Sequence, residues 1–139
     1  MKITLKRLDE AFHLQATNEN GRSVDLDAAE AVGGSNKGMR PMQLLLAAAG
    51  HCSSIDLTMI LKKQKQDLKD LEIEVTGERE KDKVPSLFTD VHLHYKLYGR
   101  LEENKVKRAV ELSVTKYCSV VSTLEKTAKV TYSYEIIPQ

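Results

Sequence analysis

Neither sign of charge dominates this sequence. Its 21 Lys and Arg stand against 20 Asp and Glu, for a net charge of +1, which excludes the basic bias of a nucleic-acid binder. Long apolar runs are missing too. The longest, Leu44 to Ala49, is far too short to span a bilayer, and the amino terminus MKITLKRLDEAFHLQ lacks the apolar stretch of a secretory signal. No nucleic-acid partner, no membrane and a cytoplasmic location are therefore expected. There is no G-x-G-x-x-G, no Walker A and no G-x-S-x-G. Cysteine is scarce: only Cys52 and Cys118 occur, and no C-x-x-C accompanies them, which excludes a zinc ribbon or a thioredoxin motif. In a reducing compartment such a pair is either two buried thiols packing as small hydrophobes or a redox pair with a transient disulfide. Repeats, low-complexity tracts and linkers are also lacking, so 139 residues read as a single domain, 1–139.

What is present is clear periodicity. Lys2 to Leu8 alternates as a strand, and Phe12, Leu14 and Ala16 repeat at the same period before the turn Asn18-Glu19-Asn20-Gly21. Arg22 to Leu26 supplies a third strand, followed by the glycine-rich loop Gly33-Gly34-Ser35-Asn36-Lys37-Gly38. Pro41 suits a first helical position, and the helix it opens runs to Leu61, with Leu45, Ala48, Cys52, Ile55 and Met59 at helical spacing. Leu44, Leu46, Ala47, Ala49, Leu57 and Ile60 make it apolar most of the way round. It is thus expected at the centre of the core, with more apolar surface than one chain of this length covers, so a partner subunit is expected to complete the core. Strands follow over Leu71 to Thr76 and Val91 to Tyr98, joined by a charged connection from Glu78 to Pro85. A second helix carries Val106, Val110, Ser113 and Tyr117 on one face; a short helical segment from Ser119 to Lys126 and a closing strand from Val130 to Ile137 complete the chain. The fold class is α+β, in the order β3-α-β2-α-β.

Few residues in this pattern carry chemistry. His92 and His94 share one side of a strand and would be a possible metal face, yet no third ligand falls at a predictable spacing, and Lys96 places them on the exposed side. No metal and no cofactor are expected. His51 and Cys52 are adjacent, which on a helix turns them about 100° apart, too far for a nucleophile and base pair. Cys52 lies about three turns inside its helix, beyond the reach of the amino-terminal dipole unless the helix restarts at Gly50, and Asp56 one turn on opposes a thiolate. A reactive Cys52 therefore needs a cation, for which Arg22, Arg40 and Lys37 are the candidates.

The stretch from Gly33 to Asp56, with Gly38-Met39-Arg40-Pro41-Met42-Gln43 and Gly50-His51-Cys52-Ser53-Ser54-Ile55-Asp56, resembles the signature of the OsmC/Ohr family of thiol-dependent hydroperoxide reductases. Lys116-Tyr117-Cys118-Ser119-Val120 resembles that family's second cysteine motif. The resemblance implies an intertwined homodimer with central helices packed together at the interface. It also implies reduction of organic hydroperoxides, with Cys52 as the peroxidatic residue and Cys118 as the resolving one, through a sulfenic acid and an intramolecular disulfide that an external dithiol reductant opens. The reductases place a glutamate directly after the motif proline to hold the activating arginine, for which Arg22 is the nearest match. This chain has Met42 there and Gln43 next, which implies a slow enzyme. The competing readings are a non-catalytic small-molecule-binding protein, with Met42, Leu45 and Met59 lining an apolar pocket, and a redox sensor.

Overall fold

The structure is a computed structural model that describes all residues, Met1–Gln139. Its elements are β1 (Ile3–Arg7), β2 (Leu14–Asn18), β3 (Ser23–Leu26), α1 (Pro41–Lys63), β4 (Asp67–Arg79), β5 (Phe88–Arg100), α2 (Glu103–Leu112), α3 (Ser119–Leu124) and β6 (Lys129–Ile137). This is the expected α+β succession. The chain divides into two compact units, Met1–Leu45 and Leu46–Gln139.

In the first unit β1, β2 and β3 form an antiparallel meander. The Asn18 carboxamide oxygen closes the β2–β3 turn by accepting from the N–H groups of Asn20 and Arg22, each at 2.9 Å. β2 begins later than the alternation predicts. Phe12 stands outside it, 51% exposed, because Asp9 accepts from the N–H groups of Ala11 and His13 while the Arg7 guanidinium donates to the carbonyls of Glu10 and Ala11. Beyond β3 the glycine-rich loop folds around one carboxylate. Asp27, only 3% exposed, accepts from the N–H groups of Ala28, Ser35 and Lys37 at 2.7, 3.2 and 3.0 Å. The bond from Lys37 does most to hold its carboxyl below the usual carboxylate range. Gly38 is required where it stands, since a Cβ there would lie 2.5 Å from the carbonyl of Asp25. Pro41 then opens α1, and the Gln43 side chain reaches back to accept from the Arg40 N–H at 3.0 Å, half of a capping box.

In the second unit α1 continues without interruption through Gly50, so Cys52 gains no fresh helical first turn. The glycine serves close packing instead. A Cβ at Gly50 would meet Val75 Cγ2 at 3.0 Å, which is how near β4 comes to the helix. The buried face of α1 consists of Ala49, Ser53, Leu57 and Leu61, all 0% exposed, at the four-residue spacing of one stripe. Part of the apolar stripe noted in the sequence turns outward: Leu45, Ile55 and Met59 are 41%, 49% and 52% exposed. Polar pairing accounts for the difference, because Ser53 is drawn inward to accept from the buried Tyr95 hydroxyl at 2.7 Å. At 23 residues with a mean hydropathy of 1.6, α1 is long and apolar enough to cross a bilayer, but here one of its faces is packed.

β4 and β5 form a long antiparallel hairpin, 13 residues a side, so both strands outrun the expected segments, and Glu78 and Arg79 belong to β4 rather than to the connection. β6 adds parallel to β5, the arrangement that needs a crossover, here supplied by α2 and α3. The inward residues of β5, Val91, Leu93, Tyr95 and Leu97, are at most 1% exposed. On α2, Val106, Val110 and Ser113 are buried as expected, but Tyr117 is 49% exposed. A π turn over Ser113–Tyr117, with the Cys118 N–H donating to the Ser113 carbonyl at 3.0 Å, inserts an extra residue. It rotates Tyr117 out and Val114 in.

Candidate functional site

The two cysteines, 66 positions apart in the sequence, meet on one turn of α1. Cys52 is half-buried and Cys118 is 1% exposed, both with free thiols. Cys118 caps α3: its sulfur accepts from the Val121 N–H at 3.4 Å, and its thiol points at the Ala49 carbonyl of α1, 3.9 Å away. Ala49 and Ser53 flank Cys52 on the helix, so the π turn that ends at Tyr117 delivers Cys118 to the level of Cys52. Burial pushes the Cys118 thiol up to about 11, and the close approach of the Cys52 sulfur adds to that rise. Cys118 is therefore held as a neutral thiol at neutral pH, while Cys52 is the sulfur that solvent reaches.

Beside Cys118 lies a polar cluster that the apolar periodicity of the sequence does not reveal. The Tyr95 hydroxyl donates to Ser53 Oγ at 2.7 Å, and the Ser53 hydroxyl in turn donates to the Gly50 carbonyl at 3.0 Å. Ser113, fully buried like Ser53, donates to the Val110 carbonyl at 2.9 Å. Burial first, and the neighbouring Cys118 among the lesser causes, push the Tyr95 phenol up to about 12. One signal for this cluster was available: Ser53 interrupts an apolar helix, and Tyr95 stands at an inward position of β5.

The candidate cations belong to the first unit. Lys37 Nζ lies 3.6 Å from Asp9, whereas for Arg40 and Arg22 it is the backbone N–H that is bound, by Gln43 and Asn18, and neither guanidinium is paired with a carboxylate. Gln43 thus spends its side-chain oxygen on the helix start. His92 and His94 lie on the outer face of the sheet and are tied to hydroxyls: His92 to Thr131 at 2.7 Å and Ser133 at 2.8 Å, and His94 to Ser133 at 2.8 Å. No group of three or more His, Cys, Asp or Glu residues in the structure is arranged to hold a metal ion.

An α+β chain with a β1–β3 meander, a long central helix, and two cysteines brought together on that helix from distant motifs defines a class of thiol proteins. The chain belongs to the OsmC-like protein family, whose pattern matches residues 34–133. It is similar to the protein YhfA of Escherichia coli K12, 47% identical over 103 residues, covering 73% of this chain and 76% of that protein. The crystal structure of a hypothetical protein from Aquifex aeolicus superposes with a TM-score of 0.85 at 31% identity, over 99% of this chain and 96% of that one. An organic hydroperoxide resistance protein OsmC from Legionella pneumophila shares the fold, with a TM-score of 0.72 at 19% identity over 97% of each chain.

Proposed function

We propose that this protein reduces organic hydroperoxides through Cys52 and Cys118. The observation that carries the proposal is the asymmetric thiol pair: a solvent-reached sulfur on α1 beside a buried, protonated one. The Cys52 thiolate attacks the outer oxygen of the hydroperoxide, the O–O bond breaks, and the alkoxide leaves and takes a proton as the alcohol, with Cys52 now a sulfenic acid. Cys118 sulfur then attacks Cys52 sulfur, hydroxide leaves, and the Cys118 proton completes the water. An external thiol reductant opens the disulfide. A resolving thiol of high pKa keeps its proton until the sulfenic acid forms, which separates the two roles.

The working unit in this proposal is a single-domain homodimer in the cytoplasm, without metal or cofactor, in which a second copy covers the exposed α1 stripe of Leu45, Ile55 and Met59. With Gln43 committed to the helix cap and no carboxylate after Pro41, turnover is slow. One equivalent of cumene hydroperoxide followed by peptide mapping tests the chemistry. A Cys52–Cys118 disulfide is expected in the wild type, no peroxide consumption in Cys52→Ser, and an overoxidised Cys52 in Cys118→Ser. If the wild type yields an overoxidised Cys52 and an untouched Cys118, the pair is not a reaction couple, and the small-molecule-binding reading replaces this one.

A further inference from the structure

The outer face of the β4–β5–β6 sheet carries a polar chain that the thiol chemistry does not use. Tyr95 of β5 bonds Ser53 of α1 and Tyr134 of β6 bonds Glu103 of α2, so both helices lie on the inner face, the side from which a second copy seated on α1 also approaches. The outer face is open. There the parallel register sets His92, His94 and Lys96 of β5 beside Thr131, Ser133 and Glu135 of β6. Thr131 Oγ1 lies 2.7 Å from His92 Nδ1, His92 Nε2 lies 2.8 Å from Ser133 Oγ, Ser133 Oγ lies 2.8 Å from His94 Nδ1, and His94 Nε2 faces Glu135 Oε1 at 3.5 Å. The proton positions follow from the last contact. An ionised carboxylate only accepts, so with neutral imidazoles the His94 proton sits on Nε2, and His94 Nδ1 is an acceptor. Ser133 donates its single proton there, which leaves its oxygen to accept from His92 Nε2–H and His92 Nδ1 to accept from Thr131. One serine hydroxyl is thus aimed at a base that a carboxylate orients, with the N–H of a second imidazole on its oxygen.

We propose that Ser133 is the nucleophile of a second site, which hydrolyses small, uncharged acyl esters that have a good leaving group. The site is independent of the peroxide chemistry. Ser133 Oγ attacks the ester carbonyl carbon as its proton passes to His94 Nδ1, and Glu135 faces the imidazolium that forms. His92 Nε2–H shifts its donation from Ser133 Oγ to the carbonyl oxygen as that atom gains negative charge. The bond to the leaving oxygen then breaks, and the departing alcohol takes the proton from His94. Water attacks the acyl-serine, His94 receives its proton, and Ser133 leaves and recovers that proton. Ester and water become acid and alcohol. The substrate class follows from the surroundings: an open sheet gives a large acyl group no walls, and Glu135 and Glu74, which is paired with His94 across β4, repel an anionic one. A single N–H donor gives only part of the oxyanion stabilisation that a dedicated hydrolase supplies, which is why the leaving group has to be a good one. Glu135 acts through His94 and is a positioning residue.

The test uses p-nitrophenyl acetate and the full-length protein. Samples quenched in acid at early times and mapped by peptide mass should carry an acetyl group on Ser133 that is lost as hydrolysis proceeds. Acetyl groups on Cys52 or on lysines, with none on Ser133 at any time, overturn the proposal. Release of p-nitrophenolate is then measured in a Cys52→Ala background, which removes the competing exposed thiol. Ser133→Ala and His94→Gln should each slow it about tenfold or more, within what a positioned base contributes. Release from Ser133→Ala at the unsubstituted rate also overturns the proposal, because an imidazole is then attacking the ester directly. Glu135→Gln should slow acylation and move the midpoint of its pH profile to lower pH, since His94 loses a carboxylate that favours its charged form. Glu74 and Lys96, the other charged groups beside this chain, are present in both proteins. An unmoved midpoint overturns the role given to Glu135.

Discussion

The buried pair Tyr95 and Ser53 allows a prediction whose sign changes with pH. Both residues are 0% exposed, and one bond of 2.7 Å joins them. Tyr95→Phe removes that bond but leaves Ser53 its donation to Gly50, so at pH 8 it should cost about 1 kcal/mol, the net value of an ordinary hydrogen bond. Ser53→Ala leaves a buried phenolic O–H with its main acceptor gone and should cost more, roughly 1–3 kcal/mol. Alkali alters the comparison. The Tyr95 pKa is raised in the folded state to about 12 from 10.0. A raised pKa gives stability that is complete below the unfolded value and is lost as pH climbs from there through the folded one. At pH 11 the unfolded phenol is largely ionised and the folded one is not, which takes about 1.4 kcal/mol from the wild type. Phenylalanine does not titrate, so Tyr95→Phe should be destabilised at pH 8 and level with the wild type or slightly above it at pH 11. Cys118 titrates in both proteins and cancels in the difference. Urea unfolding at fixed protein concentration, read at the two pH values, measures this directly. An unchanged penalty at pH 8 and pH 11 would refute the claim that burial holds Tyr95 neutral.

Three further outcomes follow from particular contacts. Gly50→Ala gains helix propensity of about 1 kcal/mol but sets a Cβ 3.0 Å from Val75, so a net loss of roughly 1–2 kcal/mol is expected from overpacking; a raised melting temperature would show that β4 yields freely. Cys118→Ser keeps a side-chain acceptor for the Val121 N–H and should melt above Cys118→Ala, by the difference of about 1 kcal/mol that an N-cap contributes; equal melting temperatures would remove the cap from the account of α3. Asp27, its pKa lowered chiefly by the bond from the Lys37 N–H, stabilises the loop above its unfolded pKa and loses that contribution as pH falls through the folded value. Amide exchange at Ser35 and Lys37 should therefore accelerate in Asp27→Asn at pH 6, whereas exchange at the rate of the wild type would mean that the glycines alone shape the loop.

The order of elements was legible because each strand and helix repeats its apolar residues at its own period, and because Pro41 and the glycines mark where α1 begins. The two cysteines were legible as a pair through their motifs. Strand lengths were not: Glu78 and Arg79 look like a connection by charge, yet the β4–β5 ladder runs through them, since cross-strand pairing, not apolarity, sets where a hairpin stops. The exposed position of Tyr117 was hidden for a different reason. A period of 3.6 assumes uniform bonding, and the π turn over Ser113–Tyr117 shifts everything after it.

The packed face of α1 was not legible in the sequence, because hydrophobicity alone does not decide it. A helix apolar all round has no preferred side by periodicity, and Leu45, Ile55 and Met59 look like better core residues than Ala49 and Ser53. The sheet decides otherwise. Tyr95 is fixed on the inward face of β5, its hydroxyl needs an acceptor once buried, and Ser53 is the residue of α1 that supplies one. Turning Ser53 inward carries Ala49, Leu57 and Leu61 with it and leaves Cys52, its sequence neighbour, half-open at the edge of the same turn. The exposed position of Cys52 thus follows from a buried hydrogen bond one residue away. Cys118 reaches the same turn from the far side because the widened π turn sets it there. The bond that chooses the packed face of the helix is also what makes one thiol accessible and the other not.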